Sequence, residues 1–92
     1  MYRVIPSSKF RKDSKLAEKR GYDTDLLTAV IKKLARGETL DEKYRDHALK
    51  GDCSGYRECH VTGDWLLVYR FEDGSVVLYL FGTGTRSYIF GS

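Results

Sequence analysis

Residues 56–81, YRECHVTGDWLLVYRFEDGSVVLYLF, decide the fold. The β-branched and aromatic runs GYRECHV, DWLLVYRFE and SVVLYLF are separated by Thr62-Gly63 and Asp73-Gly74. Asp-Gly between such runs is the strongest short hairpin signal, and Thr-Gly is a weaker one. The stretch reads as a three-strand antiparallel meander. With two-residue turns, cross-strand pairing sorts it into two faces. One carries Tyr56, Glu58, His60, Trp65, Leu67, Tyr69, Leu78, Leu80 and Gly82; the other carries Arg57, Cys59, Val61, Leu66, Val68, Val77, Tyr79 and Phe81. The second is expected to pack on helices. The first is apolar at its middle and needs a further cover, which a partner would supply. Glu58, His60 and Trp65 converge at one end of it, with Trp65 opposite His60. One extra residue in a turn would reverse the assignment on a whole strand.

Working outward, Tyr2 to Ile5 is a short β-prone run stopped by Pro6, a plausible fourth strand. Ser7 or Ser8 caps a helix that runs through KFRKDSKLAEKR to Gly21. A second helix opens at Asp23 or Thr24 and sets Leu26, Leu27, Val30, Ile31 and Leu34 on one stripe before Gly37 ends it. Glu38 to Lys50 is polar and irregular, a loop with a helical turn. The expected architecture is α+β: a twisted antiparallel four-stranded sheet with two N-terminal helices on one face. At 92 residues it forms one domain, residues 1–92.

A 41% hydrophobic content supports a packed core, and the 32% charged fraction is mixed in sign, which argues against disorder. The longest apolar run, Val76 to Phe81, is too short to span a bilayer, and MYRVIPSSKFRK lacks the apolar core of a signal peptide, so a cytoplasmic location is expected. Cys53 and Cys59 have no second pair for a zinc site and no C-x-x-C spacing, and are read as reduced thiols, with Cys59 in the core. Residues 1–37 hold ten Lys/Arg against four Asp/Glu, a balance of +6, and residues 38–92 hold six against nine, a balance of −3. A segregated basic surface fits a polyanion binder, and also a solvated helix face.

The chemistry-bearing residues gather around the first hairpin. His47 in RDHALKG and His60 in RECHV are the chain's two histidines, a residue type suited to general acid or base work, and two such groups are able to divide those roles. Glu58 and Asp64 nearby would orient them and raise their basicity. The same four residues have metal-ligand chemistry but no metal motif, and no metal or cofactor is expected. GTGTRS, residues 82–87, offers backbone amides and Arg86 for a phosphate. Trp65 and Tyr56 are either base-stacking groups or core aromatics.

The strings YRDHALKG, GYRECHVTGDWLLVYRF and TGT-x-S-x-x-F, in this order, resemble the YafQ-like branch of the RelE superfamily, the toxins of bacterial type II toxin–antitoxin systems. The resemblance runs from the first strand to Phe90. It implies a ribosome-dependent mRNA endoribonuclease, working on mRNA in the ribosomal A site, in contact with ribosomal RNA, and held inactive by a cognate antitoxin. Operator DNA would be reached only through that antitoxin. The implied chemistry is metal-independent attack of the RNA 2′-OH on the neighbouring phosphate. His47 and His60 match the family's histidines in its D-H and x-H-V motifs, Glu58 an acidic position two before the latter, Asp64 the Asp that opens the next strand, and Phe90 the aromatic near the C-terminus. Trp65 and the basic helix residues Lys9 and Lys12 would contact RNA. Two positions depart: Gly82 stands where the pattern has Arg, and Arg86 where it has His. Arg86 stays charged and serves as a phosphate clamp rather than a proton donor. His60 is then the acid or base, Asp64 or Glu58 its partner, and His47 a second proton-transfer or RNA-positioning group. The alternative is an attenuated toxin acting mainly as an antitoxin-binding module and co-repressor.

Overall fold

The computed structural model describes residues 1–72 and 76–91. Its elements are β1 (Arg3–Pro6), α1 (Ser8–Lys19), α2 (Thr24–Ala35), β2 (His47–Ala48), β3 (Arg57–Thr62), β4 (Trp65–Glu72), β5 (Val77–Gly84) and α3 (Arg86–Phe90), with 3₁₀ turns at Glu42–Tyr44 and Gly51–Cys53. The α+β class holds. The sheet, however, has five strands in the order β1-β5-β4-β3-β2 and is mixed, because β1 runs parallel to β5. The four-stranded antiparallel expectation is thus corrected twice: His47–Ala48 adds a short edge strand on β3, and β1 lies parallel beside β5, the two helices carrying the chain from that edge of the sheet to the other.

The helices start where the caps direct. The Ser7 hydroxyl accepts from the Phe10 N–H at 2.9 Å and donates to the Phe81 carbonyl at 2.7 Å, so one side chain both starts α1 and ties it to β5. Asp23 accepts from the Asp25 N–H at 3.0 Å to open α2. Phe10, Asp13 and Ala17 are the buried residues of α1, and Leu27, Val30, Leu34 and Ala35 those of α2. Leu26, expected in the core stripe, is 44% exposed, since the buried stripe runs through Leu27, Val30 and Leu34 and leaves Leu26 on its flank.

The core beneath these helices joins them to Cys59, Val61, Trp65, Leu67, Tyr69, Leu78 and Leu80. Burying each large apolar side chain contributes about 1.5–3 kcal/mol. A surface pair such as Arg36–Glu38, about half exposed on both sides, contributes about 0–1 kcal/mol. The core therefore holds the fold.

The expected face assignment is corrected by two bulges. Thr62 pairs with Trp65, so the turn is Gly63-Asp64, and the register shifts between His60 and Thr62 so that His60 faces Leu66 and not Trp65. Cys59 and Val61 consequently share the helix-side face with Trp65 and Leu67. A second shift between Val68 and Tyr69 pairs Val68 with Gly82 and Tyr69 with Leu80, leaving Phe81 as the extra residue. The expected Asp73-Gly74 turn lies outside the described residues. On the opposite face Leu66 and Val68 are buried with Ile89, against Leu49, Tyr56, Phe81 and Phe90. The expected covers are thus exchanged on β4: Leu67 and Tyr69, with Leu78 and Leu80, lie under α1 and α2 rather than awaiting a partner, while Leu66 and Val68, expected under those helices, lie under α3.

Candidate active site

Glu58 is fully buried on β3, on the face away from α1 and α2. A buried carboxylate needs a cation and hydrogen bonds. Arg86 supplies both: its two terminal nitrogens donate to Glu58 Oε2 at 3.0 Å and Oε1 at 2.6 Å. The Thr85 hydroxyl accepts from the Tyr88 N–H at 3.3 Å and starts α3, which places Arg86 over the sheet. His47 Nε2 lies 3.2 Å from Glu58 Oε1, across the pairing of β2 with β3. Its Nδ1 lies 3.2 Å from the Ala48 carbonyl, so both ring nitrogens of His47 face acceptors.

His60 is held differently. Its Nδ1 is 2.9 Å from the Gly63 carbonyl, an acceptor, which assigns the proton to Nδ1 and turns Nε2 outward. His60, Asp64, Leu66, Thr85, Arg86 and Ser87 line one cavity of about 210 Å³. Leu49, Lys50, Cys53, Arg86 and Phe90 line a second of about 350 Å³. Arg86 borders both. Two of its five N–H donors are spent on Glu58, which leaves three for an anion.

The sequence-derived set thus divides. His60, Asp64 and Arg86 come together, Glu58 and His47 stand behind Arg86, and Phe90 flanks it. Trp65 does not join them. It is 3% exposed on the helix side, packs on Tyr22 with ring centroids 4.9 Å apart, and donates from Nε1 to the Thr83 hydroxyl at 2.8 Å. Lys9 is paired with Asp13 at 2.9 Å and sits 5.2 Å from the Tyr88 ring centre, while Lys12 is exposed on the solvent side of α1.

Sequence reasoning missed two supports. Buried Asp13 accepts from the Thr83 N–H at 3.1 Å as well as from Lys9, fixing the strand end that leads to Arg86. Its signal was an acidic residue on the stripe Phe10, Asp13, Ala17. Asp46 accepts from Arg57 Nη2 at 3.2 Å and from the buried Tyr69 hydroxyl, anchoring the residue before His47. The Arg57 guanidinium is raised by that pairing, and the Tyr69 phenol is raised by burial and by Asp46. Burial pushes the Cys59 thiol up to about 12, so it is inert core, as expected.

A buried carboxylate holding a guanidinium and one imidazole, beside a second, outward imidazole, defines a small anion-handling site at one end of a sheet. The family model described as "Bacterial toxin of type II toxin-antitoxin system, YafQ" matches residues 2–91. The chain belongs to the YafQ family of type II toxins. It is 38% identical over 86 residues to the mRNA interferase toxin YafQ of Escherichia coli K12, covering 92% of this chain and 91% of that protein. The crystal structure of a metal-bound toxin from Helicobacter pylori is similar at TM-score 0.92 and 41% identity, covering 98% of this chain and 100% of that one. The toxin chain of the E. coli DinJ-YafQ complex is similar at TM-score 0.89 and 36% identity, covering 99% and 100%.

Among the described residues no three His, Cys, Asp or Glu side chains come together to hold an ion. The carboxylate of Glu58 is joined to both His47 and Arg86. No helix among the described residues is long and apolar enough to cross a membrane.

Proposed function

We propose that this chain is the mRNA-cleaving toxin of a type II toxin–antitoxin pair, acting in the ribosomal A site and silenced by a cognate antitoxin. One observation carries the reading: Arg86, fixed on buried Glu58, shares a cavity with His60 and Asp64. The scissile phosphate binds the three free donors of Arg86, which stabilise the charge that develops on the phosphorane. The Asp64 carboxylate takes the proton of the 2′-OH as its oxygen attacks phosphorus. His60 Nε2, protonated, gives a proton to the departing 5′ oxygen. The products are a cyclic phosphate and a free 5′-OH. Glu58 transfers no proton, because its oxygens are occupied by Arg86 and His47. His47 and Glu58 position Arg86, and Phe90 flanks the substrate.

Induction in cells followed by mapping of mRNA 5′ ends tests this. New cleavage and growth arrest are expected, and His60→Ala is expected to reduce cleavage about 10²–10⁴-fold, the usual contribution of a positioned acid or base. Cleavage that survives His60→Ala would overturn the assignment. Arg86→His separates the attenuated reading: a large gain in toxicity would mean that Arg86 weakens the enzyme, whereas a loss supports the clamp.

A further inference from the structure

Tyr56, Arg70 and Tyr79 form a half-exposed row on the same sheet face as His60 and Glu58, and the chemistry of cleavage does not use it. The register sets it there. Arg70 pairs with Tyr79, and it stands two residues beyond Val68 and four beyond Leu66, the partners of Glu58 and His60. At about 3.3 Å per residue the row lies about 13 Å from His60 along the sheet. The guanidinium carbon of Arg70 is 5.1 Å from the Tyr56 ring centre and 4.7 Å from that of Tyr79. Tyr56 in turn packs on Phe81, with centroids 5.3 Å apart, so the row is continuous with the apolar floor beneath α3.

Arg70 Nη1 donates to the Tyr56 hydroxyl at 2.9 Å, and Nε and Nη2 donate to Glu72 Oε1 at 3.3 and 2.8 Å. Three of five donors are engaged, and the Glu72 pair is surface-exposed on both sides, so it yields readily to a stronger acceptor. A planar cation held between two aromatic rings, with donors to spare, offers a base a stacking surface and a phosphate an oriented fork. An extended single strand passing over Arg86 along this face meets the row next.

We propose that the Tyr56–Arg70–Tyr79 row is a second RNA subsite, binding the base and phosphate of a nucleotide that flanks the one being cut. It rests on the RNA-cleavage reading of the His60 and Arg86 cavity. The occupant is single-stranded RNA because the row joins flat π faces to a cation in line with that cavity.

The test is fluorescence anisotropy with labelled 2′-O-methyl RNA, which lacks the attacking hydroxyl, as a trimer and as an octamer. The octamer is expected to bind the unaltered protein about tenfold tighter than the trimer. Arg70→Ala is expected to remove that advantage, leave the trimer unchanged, and reduce the slope of log K against log salt by about 1. Arg70→Lys is expected to restore the slope but only part of the affinity, since an ammonium lacks the planar fork. An octamer advantage intact in Arg70→Ala, or equal loss for trimer and octamer, would overturn the subsite. So would an octa-aspartate peptide that binds as tightly as the octamer and is as sensitive to Arg70→Ala, which would assign the row to an acidic protein segment. Failure of both RNAs to bind the unaltered protein would instead bring down the RNA reading of the whole face.

Discussion

Glu58 has no exposed surface, yet it decides where two functional groups sit, because Arg86 and His47 both close on its carboxylate. Its partner Arg86 is itself 56% exposed at the side chain, so the pair is half solvated. Truncating Arg86 to Ala leaves the buried carboxylate with His47 alone. A loss of about 1.5–3 kcal/mol is expected, the range for hydrogen bonds to a charged group, and the midpoint of urea unfolding measures it. Arg86→Lys keeps the charge but not the two-pronged contact, and is expected to lower cleavage about 10–100-fold with a smaller stability loss. Cleavage unchanged in Arg86→Lys would show that charge alone is needed. Cys59 supplies a pH test. Its folded thiol is raised from 9.0 to about 12 by burial, so the unfolded chain gives up that proton first. Stability contributed by Cys59 is full below about pH 9 and declines as pH rises toward 12. Cys59→Ala is expected to flatten that part of the curve of melting temperature against pH. An unaltered decline would place the effect in Tyr69, whose phenol is shifted in the same direction.

Elements whose cause is local were legible in the sequence, and elements whose cause is distant were not. Ser7 and Asp23 announced their helices because a cap acts on residues two or three along the chain. The three β runs announced themselves by composition. Val61, by contrast, is as β-prone as its neighbours, so nothing local marks it as the residue skipped between His60 and Thr62. That skip moved Trp65 from the site to the core. The partner of β1 is a strand more than 70 residues away, a pairing that no local signal marks. Of the candidate site, His60, Asp64 and Arg86 are residue types whose chemistry a sequence displays, whereas the burial of Glu58 and Asp13 is something residue type does not reveal. Asp13 also explains the Gly82 departure. A Cβ at Gly82 would stand 2.9 Å from Asp13 Oδ2 and 3.2 Å from Lys9 Nζ, so the helix-side pair fills the space a side chain needs. Lys9 is able to swing away, but the carboxylate is held by the Thr83 N–H. Gly82→Ala is therefore expected to destabilise by about 1–3 kcal/mol, as overpacking does, read from the urea midpoint. An unchanged midpoint would show that Asp13 shifts freely and is not a strut.

At the scale of the molecule, charge and chemistry lie on opposite sides of the sheet. Ten of the 16 Lys/Arg fall within residues 1–37, mostly on α1 and α2, while His60, Asp64 and Arg86 occupy the far face. A toxin that cleaves free RNA would need its cations around the cavity alone. One that works while held on a large ribonucleoprotein gains from a second basic surface that grips the carrier while the site takes the message. The two functions are then separable. Charge reversal at exposed positions of the helix layer, Lys12→Glu with Lys32→Glu, is expected to leave the fold and the binding of short RNA unchanged. The same double change is expected to weaken ribosome binding by more than tenfold and to reduce the steepness of its salt dependence by about 2, one for each lost phosphate contact. Co-sedimentation with ribosomes over a salt series, alongside anisotropy with the short RNA, measures both. If the double variant lost short-RNA binding as well, the basic helices would belong to the substrate path. If it kept full ribosome affinity, their charge would be a solvated face and the ribosome would be gripped elsewhere.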